Sequence, residues 1–78
     1  MTAIEIIKDI MNDTDTRVTD FVEYSDMGTK SNVYQMLQRK DLKVESFVKM
    51  LDVMGFQLVV KNENTGDETI VNYEEGNI

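Results

Sequence analysis

The sequence predicts a mainly α domain of four short helices, or five, closed by a C-terminal β-hairpin. Three observations carry that class. Apolar residues recur at helical spacing in four successive segments. Capping residues stand where those segments begin and end: Thr2 with Glu5, then Thr29, then Gly55. After Gly55 the apolar period falls from 3.6 to 2, and a turn-rich stretch divides two strand-like segments.

The elements follow in order. Thr2-Ala3-Ile4-Glu5 forms a capping box, in which the threonine oxygen and the glutamate carboxylate each accept from the other's backbone amide. Ile4, Ile7 and Met11 then share a face, with Ile6 and Ile10 beside it, so the first helix runs from about Ala3 to Asn12. The short polar side chains of 12–16 compete for the backbone and stop it. Thr16 or Arg17 opens a second helix with Val18, Phe21 and Val22 inward and Tyr24 near its end. Ser25-Asp26-Met27-Gly28 reads as a turn, with Asp26 as a local cap and Gly28 free to take positive φ. Thr29 caps a third helix reaching about Arg39, with Val33, Met36 and Leu37 on its inner face. A fourth helix spans about Val44 to Met54, with Val44, Phe47, Val48, Leu51 and Met54 at core spacing and Gly55 as its C-terminal glycine. Phe56 to Lys61 alternates as a strand whose Phe56, Leu58 and Val60 face helices 1 and 4, and Glu68 to Tyr73 returns as its partner. Residues 1–56 thus form the helical domain, 57–73 its hairpin extension, and 74–78 a frayed acidic tail. Helical spacing makes Met11 and Met54 core filler; the spacing leaves Met27 and Met36 open.

Composition removes whole classes of function. The chain of 78 residues has neither cysteine nor histidine, so disulfides, thiolate zinc sites and the commonest general base are all excluded. Neighbouring acids such as Asp13 with Asp15, or Glu74 with Glu75, have no nucleophile beside them and no calcium-loop spacing, so they read as solubilising charge. An enzyme is not expected, nor a metal or other cofactor. No apolar run is long enough to span a membrane, and the N-terminus lacks the basic start of a secretory signal, so the expectation is a cytoplasmic protein with no membrane partner.

The net charge of −7 is unevenly spread. Residues 1–27 set seven acids against Lys8 and Arg17, and residues 62–78 hold five acids and no base. Residues 28–61 carry Lys30, Arg39, Lys40, Lys43, Lys49 and Lys61 against three acids, a net of +3. Four of the six bases in this basic island, Lys30, Arg39, Lys40 and Lys43, fall on the third helix and the connector after it. Solvated charges gathered by chance would look the same in composition.

Four short helices with a tight turn between the second and third resemble the lambda-repressor-like (Cro/repressor, XRE-type) helix-turn-helix family, here as a diverged member of the small phage or mobile-element type. The resemblance covers about Ala3 to Phe56. Phe21-Val22 matches the apolar pair of the first motif helix, Thr29 the polar cap of the second, and Val33 and Leu37 its buried positions. Val44 to Phe56 is similar to the family's final helix with its closing Gly55, and Leu37-Gln38-Arg39-Lys40-Asp41-Leu42-Lys43-Val44 resembles small bacterial and phage-borne members. The family favours a small residue where Val22 stands, an apolar one at Ser25 and glycine at Asp26; Gly28 takes over the turn.

The resemblance implies a transcriptional regulator that lays its third helix in the major groove of double-stranded DNA and acts as a dimer. By position, Lys30, Ser31, Asn32, Tyr34 and Gln35 would face base edges, and Gln38, Arg39, Lys40 and Lys43 would contact phosphate. Tyr34 is equally a candidate for half-buried packing. The expected homodimer forms through the C-terminal hairpin, whose outer face carries Val59, Val71 and Tyr73. A competing expectation is an acidic protein-binding module on the same scaffold, a phage-type inhibitor or an antitoxin-like protein, working through its two acidic ends rather than through DNA.

Overall fold

The computed structural model describes residues 1–72. It is mainly helical, with α1 (Ala3–Thr14), α2 (Val18–Tyr24), α3 (Lys30–Gln38) and α4 (Val44–Val53) followed by strands β1 (Leu58–Lys61) and β2 (Glu68–Val71). Four is the helix count among the described residues. Tyr73 and the expected frayed tail, 74–78, lie outside them.

The caps explain where the helices start and stop. Thr2 and Glu5 make both halves of the capping box, at 3.2 and 3.0 Å. α1 runs two residues beyond the expected Asn12 because its polar end is satisfied within the helix. The Thr14 hydroxyl donates to the Ile10 carbonyl at 2.7 Å, and Asp15 turns left-handed at φ 56° so that the Thr16 amide reaches Met11 at 2.9 Å. At the start of α2 the Asp20 carboxylate accepts from the Arg17 amide at 2.8 Å. α3 ends at Gln38, with Arg39 as its extended cap. α4 closes at Gly55, φ 84°, where the Phe56 amide returns to Leu51 at 2.8 Å and the Gly55 amide to Asp52 at 3.1 Å.

All four helices feed one core. Ile7, Val18, Phe21, Met27, Val33, Leu37, Met50 and Leu51 are buried together, and among the described residues no polar or charged side chain is buried. Met27 resolves as core, and Met11, Met36 and Met54 are partly buried against it. The inner face of α4 departs from the expected pattern. Val44 is exposed and Met50 is fully buried. α4 packs against both α1 and α2, so no residue from Ser46 to Leu51 is exposed, while Val44 overhangs at the helix end.

The hairpin pairs Leu58 with Val71, Val59 with Ile70, Val60 with Thr69 and Lys61 with Glu68, so Val71 shares the face of Leu58 rather than the expected outer face of Val59, where Ile70 stands instead. Its loop is closed by the Asn62 amide on Asp67, by the Gly66 amide on Asn62, and by Gly66 at φ 82°. Both strands are shorter than expected, and the covering of β1 by helices 1 and 4 fails beyond its first residue. Among the described hairpin residues only Leu58 packs on the core; Phe56 is 45% and Val60 61% exposed, and every residue from 59 to 70 is exposed. Both faces of β1 beyond Leu58 are exposed, so alternation within the strand does not translate into alternate burial.

Candidate nucleic-acid interface

The residues expected to meet DNA are positioned by α3 and its two flanking turns. Thr29 opens the helix, its Oγ1 accepting from the Asn32 amide at 3.2 Å. Val33 and Leu37 pin one side of α3 into the core. The opposite side therefore presents Lys30, Ser31, Tyr34, Gln35 and Gln38, all exposed and spaced three and four residues apart. From Met27 to Lys40 the chain has no carboxylate, although its full length carries 15 acids. The exposed side of α3 thus offers amide, hydroxyl and cationic groups, with no carboxylate from its own segment.

Three expected residues occupy a second place. Asn32, Arg39 and Lys43 border an open cleft of about 600 Å³ between α3 and the start of α4, with Met36 and Leu42 as its apolar wall and Asp41 and Ser46 at its edge. Lys40 is exposed on the connector and does not line this cleft. The basic island is therefore split into a helix-borne cation, Lys30, and a cluster at the other end of α3.

Asn32 has a structural task that the sequence did not announce. Its Nδ2 donates to the Met27 carbonyl at 2.8 Å, tying the first turn of α3 to the preceding loop. Gly28, at φ 93°, passes directly beneath: a Cβ there would sit 3.4 Å from Asn32 Nδ2. An asparagine three residues after an N-cap and four after a glycine is the signal that could have suggested it.

Tyr34 is 54% exposed. With Gln38 it borders a groove of about 500 Å³ shared with Lys8, Met11, Asn12 and Asp15 of the α1 end. Lys8 is thus a cation beside the α3 surface that local spacing could not find, since only the packed helices bring it there. Asp15 places a negative charge in the same groove.

The turn before α3 is held from outside as well. The Lys49 ammonium of α4 lies 3.0 Å from Asp26 Oδ1 and 3.3 Å from Glu45 Oε1. The hydrogen bond and charge of Lys49 hold the Asp26 carboxyl below its ordinary range, and the hydrogen bond to Asp26 raises the Lys49 ammonium. Asp26 therefore pairs with α4 rather than capping the turn locally; the Ser25 hydroxyl does the local work, donating to the Phe21 carbonyl.

Among the described residues, no cluster of three or more acids could hold a metal ion, and no helix is long and apolar enough to cross a membrane. Comparison with protein-family models, with curated proteins and with solved structures finds no match to the chain.

Proposed function

We propose that this chain is a small sequence-specific DNA-binding regulator of the helix-turn-helix type, with α3 in the major groove. The observation that supports it best is the outer side of α3, free of carboxylates over 27–40 in a chain of net charge −7. Gln35 can donate and accept in the bidentate manner that suits adenine, Lys30 suits guanine O6 and N7, and the Gln38 amide can donate to phosphate. Arg39, Lys40 and Lys43 supply phosphate contacts that fix register without reading sequence. With its Nδ2 engaged on Met27, Asn32 has its Oδ1 and one N–H left for a base edge.

The test is selection of bound sequences from a random duplex pool at low and physiological salt, with a Lys30→Ala/Arg39→Ala double variant as control. The expected result is an enriched motif, lost in the double variant, and binding that falls steeply with salt. Retention of no duplex at low salt sinks the proposal.

One recognition helix makes few base contacts, so a two-fold copy is part of this reading. The exposed pair Val59 and Ile70, at 39% and 48%, is the surface proposed for it. Glu63, Asp67 and Glu68 ring that hairpin, so dimerisation strengthens with salt while DNA contact weakens. Sedimentation equilibrium across salt checks this, and a monomer at every salt concentration rejects it.

The exposed hairpin and the acidic outer residues Glu5, Asp9, Asp13 and Glu23 favour the second reading, a protein-binding module. That reading takes precedence if no duplex binds.

A further inference from the structure

α3 takes its direction from few supports. It packs chiefly on α2, and the link between them is the turn 25–29. That turn is pinned on one side by Met27, buried in the core, and by Asn32 Nδ2 on the Met27 carbonyl. Its remaining anchor is Asp26, whose side chain is 77% exposed and would otherwise wander in water. The group that stops it stands in the middle of α4. The Lys49 side chain is only 15% exposed, with its stem covered and its ammonium between one carboxylate of the turn and one of its own helix. With its stem held against the protein, the Lys49 head has little freedom to follow a moving carboxylate, so the position of α4 restrains the position of Asp26.

We infer that Lys49 is a positioning residue for the α3 surface: by holding Asp26 of the turn against α4, it sets the angle at which α3 is presented. Lys49 belongs to the basic island in sequence but pairs its charge with Asp26 and Glu45, so it adds specificity rather than phosphate attraction. Its effect on DNA rests on the proposed DNA-binding reading; its effect on the turn does not.

The full-length chain is compared with Lys49→Met, which keeps the apolar stem, Lys49→Arg, which keeps the cation, and Asp26→Asn, which alters an exposed group. Amide hydrogen exchange at Asn32 and Val33, whose amides are held by Thr29 at the head of α3, is read first, without DNA. Lys49→Met and Asp26→Asn should each quicken exchange there about threefold relative to α1, and Lys49→Arg should restore it. With duplex present, the ratio of specific to non-specific affinity should fall about threefold in Lys49→Met while the salt slope stays constant. Lys40→Ala, by contrast, should reduce that slope by about 1. Exchange unchanged at these amides, or quickened equally throughout the chain, overturns the inference. If the wild-type chain binds no duplex, the DNA reading fails and the exchange measurement alone decides the role of Lys49.

Discussion

Asp15 is the one non-glycine residue with positive φ among those described, and it sits at a helix C-terminus where the backbone carbonyls already carry partial negative charge. Aspartate tolerates the left-handed conformation better than most residues, but glycine takes it without a Cβ penalty. Asp15→Gly should therefore stabilise the fold by about 0.5 kcal/mol, measured in urea melts. Asp15 also lies in the groove beside Tyr34 and Gln38. Asp15→Asn, which keeps the turn and removes the charge, should tighten duplex binding at low salt; an unchanged affinity would show that DNA does not approach this groove. The glycines at 28 and 55 were legible in the sequence because a turn or helix end required them. The direction of the Asn32 side chain was not, because an exposed asparagine in a first helical turn suits a base edge and a loop carbonyl equally well.

At the scale of elements, all four helices and the switch to a hairpin were legible, since caps and periodicity are local properties. Burial around α4 was not. A single apolar stripe describes a helix covered on one side, and α4 is covered by α1 and α2 together. That is why Met50 is fully buried although it falls off the stripe, and why Val44 is exposed although it falls on it. Truncating Phe21, Phe47, Met50 or Leu51 to alanine should cost about 2–5 kcal/mol, while Val44→Ala should stay within about 0.5 kcal/mol. Denaturant melts that ranked Val44 above Met50 would contradict this arrangement of the core. The candidate interface divides in the same way: the outer side of α3 followed from spacing, whereas Lys8 joins it only through the packing of α1 beside α3.

For the molecule as a whole, two carboxyls tie stability to pH. The Thr2 backbone and hydroxyl lower Glu5, and Lys49 lowers Asp26. Each contributes stability that is present above the unfolded carboxylate pKa and lost as pH falls through the lower folded value. Lys49 is raised, chiefly by Asp26, so its contribution is complete below the unfolded lysine pKa and is lost as pH rises through the folded one. Thermal melts should therefore show a plateau between the carboxylate and lysine ranges. Asp26→Asn should flatten both limbs, and an unaltered alkaline limb would show that Asp26 does not support Lys49.

The hairpin stands outside the helical core for nearly all its described length, and Leu58 is its one residue packed on the core among the described residues. It has little surface through which to share the cooperativity of the helices. Its opening is then a sub-global event of low free energy rather than a fragment of global unfolding. A protease should cut first at the exposed loop between Asn62 and Asp67, at a rate that tracks this local opening and not the stability of the core. Core variants such as Leu51→Ala should leave that first cut unchanged while hastening the second, within the helices. A partner that covers Val59 and Ile70 should abolish the first cut altogether, making nicking at this loop a direct gauge of whether the hairpin is engaged.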